Sequence, residues 1–272
     1  MTATVHPLFD LAGKVAVVTG GGSGLGQEFC SILAEFGADV VCPDLRRDRA
    51  EATCEMIKEY GHRALPMAVD TSKYDQVKGM FQEVEDTFGR LDVLVNNAGI
   101  LSVAAAIHEM SVEDWHRVLD VNLHGVFYCM KEGLKLMVKQ RKGSIINISS
   151  VIGMYGLDPE IDASVNYGVS KAGVIGLTRQ GAAEYGRHNI RVNCIAPGWF
   201  FPTRLAADSG RPPRSEEATK ARLAQLAART PLGRTGEPRE LGGLLLYLAS
   251  DASSFVTGQV IAADGGWTSW RS

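Results

Sequence analysis

Tyr167 and Lys171 stand four residues apart in the run YGVSK, within a longer segment of helical spacing, so both side chains leave one face of that helix. A free tyrosine, with a pKa near ~10, is a poor base at neutral pH. A cation close by stabilises its phenolate and lowers that value. The pair is therefore suited to moving the proton of an alcohol, a reaction that also needs a hydrogen-bond donor for the oxygen on which charge develops. Two serines, Ser149 and Ser150, close the apolar run GSIINISS just upstream. Tyr155 is the rival base, but the residue four positions on is Pro159, it lies between Gly153 and Gly156, and no cation is near it. A place on the wall of a substrate pocket suits it better.

A second group of residues suits a nucleotide. In VAVVTGGGSGLGQEF a buried strand runs into glycines and then into a helix, which brings backbone N–H groups and a helix N-terminus to a place where a phosphate fits. No register satisfies GxGxxG; the run has Thr19 and Gly20, then Ser23, Gly24, Leu25 and Gly26. Asp44 ends the next strand, at the distance of about 20 residues expected for a ribose-binding carboxylate. It would repel a 2′-phosphate, so NAD is favoured over NADP. Arg46 and Arg47 are the opposing observation, and they also read as the solvated start of the next helix.

The elements that must position these groups alternate. KVAVVTG, ADVVCPD, RALPMAVD, LDVLVNNAG, GSIINISS, IRVNCIAPG and GQVIAADGG are apolar runs ending in small or polar residues, the pattern of strands buried on both faces. Segments with apolar residues at helical spacing lie between them, several stopped by glycine, and one opened by SVEDW in the manner of a capping box. The expected fold class is α/β, one doubly wound, parallel, seven-stranded sheet with helices on both faces. Ser150, Asp44 and Asn97 then fall at the carboxyl edge of the sheet, where open α/β folds place their ligands. Residues 198–220, polar and bearing prolines, break the rhythm and are expected to form a long mobile loop that serves as a substrate lid.

Composition narrows the classes. The chain has 272 residues, 45% hydrophobic and 22% charged, enough to bury one large core. A net charge of -3 without a basic cluster gives no footprint for nucleic acid or an anionic membrane, and a small-molecule partner is expected. The five cysteines are scattered, without CxxC, which fits buried thiols in a reducing compartment, the cytoplasm. No leader pattern opens the chain, and the run LLLYLA is too short to span a bilayer. The six histidines are dispersed, without HExxH, so no metal site is expected.

The ordered set TGGGSGLG, Asn96-Asn97-Ala98-Gly99, Tyr167-Gly168-Val169-Ser170-Lys171 and Pro197-Gly198 resembles the short-chain dehydrogenase/reductase family, as does the closing run from GRTGEP to AADGG. The resemblance implies one Rossmann-like domain over residues 1–272, with 1–10 as an N-terminal extension. It implies NAD(P)-linked oxidation of an alcohol or reduction of a ketone, and a homotetramer. By the same match Tyr167 is the acid/base, Lys171 tunes it, Ser150 holds the substrate oxygen and Asn122 supports a proton path through Lys171. Sequence alone does not exclude an exchange of Ser149 for Ser150. Asp70 and Thr71 would meet the adenine, Asn97, Ala98 and Gly99 the dinucleotide, Pro197 and Gly198 the nicotinamide, and Thr203 its carboxamide. Trp199 would join Tyr155 in the substrate pocket, and the terminal WTSW would pack at a subunit interface or in a neighbour's pocket. The substrate class implied is a secondary alcohol such as a polyol, sugar or sugar acid. An NADPH-dependent ketoreductase of the 3-oxoacyl type and a non-catalytic dinucleotide-binding protein are the alternatives.

Overall fold

The computed structural model describes residues 5–101, 103–156, 164–203, 205 and 215–270. Among these, seven strands form one sheet: β1 (Val15–Val18), β2 (Asp39–Asp44), β3 (Ala64–Ala68), β4 (Val93–Asn96), β5 (Gly143–Ile148), β6 (Ile190–Pro197) and β7 (Val260–Ala263). Every pairing is parallel and the order is β3-β2-β1-β4-β5-β6-β7. The order reverses at β1, which pairs with both β2 and β4, and this opens a crevice at the carboxyl ends of the strands.

Successive strand residues feed different cores because side chains alternate across a pleat. Ala16, Val18, Val40, Val95 and Ile146 pack in one cluster, and Val15, Val17, Val41, Leu94 and Ile145 in the other. The first cluster is completed by helices α1 (Gly24–Glu35) and α2 (Arg47–Lys58). The second is completed by α3 (Tyr74–Phe88), and both faces of the sheet are thus covered, as the continuous apolar runs require. Leu94, fully buried, shows the scale of this packing: its truncation to alanine costs about 2–5 kcal/mol.

The long helical run from Ser111 to Gln140 is not one α-helix. Ser111 Oγ accepts from the Asp114 N–H at 3.0 Å and starts α4 (Val112–Leu119), a π turn follows over Asp120–His124, and α5 (Gly125–Gln140) continues the axis. Next come α6 (Val165–Tyr185), α7 (Glu216–Ala228) and α8 (Gly242–Ala249). The expected loop 198–220 needs correction at its end, since residues 216–220 are the first turns of α7. Ser215 Oγ accepts from the Ala218 N–H at 3.1 Å, with Glu216 and Glu217 favourable near the positive end of the helix dipole. Residues 204 and 206–214 lie outside the described residues. In the N-terminal stretch, Pro7–Phe9 form a short 3-10 turn.

All five cysteines are free and buried. Burial pushes the Cys129 thiol up to about 12 and the Cys194 thiol up to about 11, so neither is a thiolate at neutral pH. Among the described residues no helix is long and apolar enough to cross a membrane.

Candidate active site

The crevice is a cleft of 530 Å³. Gly20, Ser23, Gly24, Leu25, Gly26, Asp44, Asp70, Thr71, Asn97, Ala98, Gly99, Pro197, Gly198 and Thr203 all line it, and so do Ser150, Tyr167 and Lys171. Residues scattered over most of the sequence meet there because each follows or ends a parallel strand.

At the nucleotide end, β1 leads through Thr19 into the glycine loop, and α1 begins at Gly24 with Ser23 as its extended N-cap. The Ser23 side chain makes no capping hydrogen bond. First-turn N–H groups have no partner within a helix, so this N-terminus and the Ser23 hydroxyl suit a phosphate. A Cβ on Gly26 would collide with the carbonyl oxygen of Gly20, so helix and loop approach as closely as they do only with glycine there. Thr19 Oγ1 accepts from the N–H groups of Asn97 and Ala98, each at 3.0 Å. Asn97 Nδ2 donates to the carbonyls of Thr19 at 2.9 Å and Gly20 at 3.3 Å, so its side chain braces the end of β4 against the loop.

Asp44 is buried at the end of β2. Its Oδ2 accepts from the Gly22 N–H at 3.0 Å and its Oδ1 from the Arg46 N–H at 2.9 Å, which fixes the carboxylate against the glycine loop. The Arg46 guanidinium pairs with Asp48 at 3.0 Å and that of Arg47 with Glu51 at 2.8 Å. Arg46 also borders the cleft, together with Arg49. Asp70 Oδ1 accepts from the Ser72 N–H at 2.9 Å and hydroxyl at 2.7 Å. These groups fit a dinucleotide: an uncapped helix start for the phosphates, a backbone-held carboxylate for the ribose and a side-chain-free glycine contact between them.

At the other end, α6 brings Tyr167 and Lys171 under the sheet edge, both buried. The Lys171 Nζ donates to the Ile148 carbonyl at 2.8 Å and lies 5.6 Å from the centroid of the Tyr167 ring. Burial pushes the Lys171 ammonium down to about 8. The Ser149 hydroxyl donates to the Lys171 carbonyl at 2.8 Å, tying β5 to α6. Ser150 Oγ accepts from the Ile152 N–H at 3.3 Å, which leaves its hydroxyl hydrogen available to an oxygen in the cleft.

Asn122 is fully buried in the π turn and does not itself line the cleft. Its Oδ1 accepts from the Ile100 N–H at 2.8 Å, and its Nδ2 donates to the Ile100 carbonyl at 3.0 Å and to Ser170 Oγ at 3.2 Å. A Cβ on Gly99 would stand 3.5 Å from both Asn122 Oδ1 and Lys171 Nζ, so the two groups flank the same point of the backbone. π turns recur at functional positions, but no residue pattern announces one.

Beyond Gly198, Trp199 lines the cleft and its indole meets Trp267 edge to face, with centroids 6.4 Å apart at 89°. The Arg222 guanidinium lies 5.8 Å from the Trp199 ring centroid. Trp267 packs against Trp199 within its own chain, while Trp270 is exposed. Tyr155 is not among the described residues that line the cleft. The chain after Ser150 coils into a 3-10 turn, and the Tyr155 N–H donates to the Val151 carbonyl at 3.2 Å. The acidic residues of the following loop, 158, 160 and 162, and the arginines at 204, 211 and 214 lie outside the described residues.

Sequence reasoning missed Arg222 and Leu226, which α7 brings to the cleft, and also Leu101, Ile152 and Leu205. The helix had a signal in the cap serine and glutamates before an alanine-rich stretch. Nothing local marks the other three.

One end of the cleft suits phosphates and a ribose while the other suits the proton of an alcohol, so the class that fold and site point to is that of the nicotinamide-dinucleotide oxidoreductases. A family model described as enoyl-(acyl carrier protein) reductase matches residues 20–268. The 3-oxoacyl-(acyl-carrier-protein) reductase FabG of Thermotoga maritima is 41% identical over 256 residues, 94% of this chain and 98% of the relative. The cis-4-hydroxycyclohexanecarboxylate dehydrogenase of Sinomonas cyclohexanicum is 41% identical over 257 residues, 94% and 97% of the two chains. A crystal structure of a short-chain type dehydrogenase/reductase from Mycobacterium marinum superposes with a TM-score of 0.88 at 38% identity, covering 97% of this chain and 99% of that one. The chain belongs to the short-chain dehydrogenase/reductase family, oxidoreductases that bind NAD or NADP.

Proposed function

We propose that this protein is an NAD-dependent dehydrogenase of secondary alcohols, working reversibly with the matching ketones. The observation that carries the reading is the buried Tyr167-Lys171 pair in the same cleft as Ser150 and the backbone-held Asp44. When bound, the nicotinamide supplies the hydride acceptor for oxidation and the donor for reduction. The chain's residues handle everything else. Ser150 donates a hydrogen bond to the substrate oxygen, and Tyr167 takes or returns its proton. Lys171 stabilises the phenolate and, with Asn122 beside it, links it to the proton path.

Asp44 supports NAD over NADP: a carboxylate lining the cleft can accept from a ribose hydroxyl and would repel a 2′-phosphate. Trp199 to Thr203, on the cleft side of the segment 198–220, serve as the start of a lid. A cytoplasmic homotetramer completes the proposal, in keeping with the free, buried cysteines and the family. Hydroxylated substrates range from polyols and sugar acids to ring alcohols, and the name of the Sinomonas relative, a hydroxycyclohexanecarboxylate dehydrogenase, favours including the last.

The name of the Thermotoga relative favours a second reading, an NADPH-dependent reductase of 3-oxoacyl thioesters. One experiment separates the two: a panel of alcohols, ketones and a 3-oxoacyl thioester assayed with both cofactors. Turnover of alcohols with NAD supports the first reading, and NADPH-linked turnover confined to the thioester replaces it.

A further inference from the structure

Removing from the lining of the cleft the groups assigned to the nucleotide and to proton transfer leaves a wall of distinct character. It consists chiefly of Leu101, Ile152, Trp199, Phe201, Leu205 and Leu226. Among the described residues the polar side chains on this part are few. Arg222 lies against the Trp199 ring, and Thr203 also borders the neighbouring cavity beside Gly22, Ser23 and Gly24, toward the phosphate end. Each hydroxyl of a polyol taken out of water needs a partner, and an unpartnered one costs binding free energy. The leucines supply none, and the indole offers a single donor, the Trp199 Nε1–H, which is buried without a hydrogen-bond partner among the described residues. The wall instead offers contact to apolar surface.

The indole is held from outside. Gly198 packs against Asp264, whose carboxylate accepts from the N–H groups of Gly266 at 2.9 Å and Thr268 at 2.8 Å. This fixes the turn that carries Trp267, and Trp267 meets Trp199 edge to face. A flat aromatic side chain fixed in this way is a low-entropy surface for another ring.

We propose, on the basis of the dehydrogenase reading above, that the substrate bears an apolar ring, alicyclic or aryl, seated against Trp199, and that Trp267 is a positioning residue for that indole. The ring lies next to the reacting carbon, and a polyol or open-chain sugar acid is a poor substrate.

Initial rates with NAD on the full-length protein test this, comparing cyclohexanol and 1-phenylethanol with xylitol and D-gluconate. The expected kcat/KM for the ring alcohols exceeds that for the polyols by about tenfold or more, and Trp199→Ala raises the KM for ring alcohols about tenfold. The NADH Kd stays within about twofold. Trp267→Ala raises the same KM with little change in kcat, and Trp267→Phe restores it; a merely structural loss would instead scale with the fall in Tm and spare no substrate. A preference for xylitol or gluconate, or an unchanged ring-alcohol KM in folded Trp199→Ala, overturns the inference while leaving the dehydrogenase reading in place. The wild-type panel alone decides if the Trp199 variant does not fold. Absence of turnover with every alcohol and both cofactors overturns the dehydrogenase reading, and the inference falls with it.

Discussion

Lys171 Nζ sits 5.6 Å from the centroid of the Tyr167 ring, one helical turn along α6, and is anchored by a 2.8 Å hydrogen bond to the Ile148 carbonyl at the end of β5. The anchor matters because a lysine on a flexible stem otherwise loses several rotamers when held near one partner. Tying it to a strand carbonyl fixes the charge at the edge of the cleft, beside the Tyr167 ring and away from solvent.

On the proposed mechanism, the Tyr167 hydroxyl is the group turnover depends on most. Tyr167→Phe keeps the ring and its packing and removes only the titrating oxygen. Turnover should fall at least about a thousandfold, within the range of a lost acid/base group, with the NADH Kd nearly unchanged by fluorescence titration. Tyr155→Phe, at a residue not among those lining the cleft, should retain most activity. If Tyr155→Phe is the inactive variant, the assignment of the base is wrong.

The same burial that positions Lys171 sets a pH dependence. Its ammonium titrates at about 8 in the folded protein and at the ordinary value of 10.5 when unfolded. Activity that needs the cation should therefore decline as pH rises through about 8. For stability the sign is opposite: between pH 8 and 10.5 the unfolded chain binds the extra proton, so this group's contribution improves as pH rises, and its cost is largest at neutral pH. Lys171→Met should be inactive yet more stable than the parent at pH 7 by up to about 3 kcal/mol, an advantage that shrinks toward pH 10. Urea unfolding at the two pH values measures it, and a variant less stable at both contradicts the burial argument.

Asp44 accepts from two backbone N–H groups, so its carboxylate cannot swing away from a 2′-phosphate without breaking both. NADH should bind at least about tenfold more tightly than NADPH, about 1.4 kcal/mol. Asp44→Ser should narrow or invert the ratio, because the positive charge of Arg46 and Arg49 at the cleft rim would then favour the extra phosphate. Competitive titration of the two reduced cofactors reads the ratio directly, and equal affinities in the parent would remove Asp44 as a selector.

The strand ends were legible because buried parallel strands are written as continuous apolar runs, and a polar or small residue closing such a run must fall at the sheet edge. Asp44, Asn97 and Ser150 were found that way, while Pro197 came from the family resemblance. The choice between Ser149 and Ser150 was not legible, since it depends on which hydroxyl the turn after β5 directs at the Lys171 carbonyl. The start of α7 was missed despite its cap serine and glutamates because Glu216 to Lys220 carries no large apolar residue to set a helical period. The Trp199-Trp267 contact joins residues far apart in sequence, and no local periodicity encodes such a pair.

Asn122 tests whether the π turn serves chemistry or only packing. Its amide satisfies both backbone groups of Ile100 and the Ser170 hydroxyl, all at a buried position. Asn122→Ala leaves the Ile100 N–H and carbonyl unpartnered, at about 1–3 kcal/mol each, so a lower Tm is expected whatever the catalytic role. The separation comes from kinetics. A role beside Lys171 predicts that kcat falls far more than cofactor affinity and that the solvent deuterium isotope effect on kcat grows, because proton transfer becomes the slow step. A purely structural role predicts losses that follow the folded fraction, and these disappear on cooling below the lowered Tm. An unchanged kcat in the folded variant takes Asn122 out of the proton path, leaving it as the residue that holds the end of β4 to the π turn.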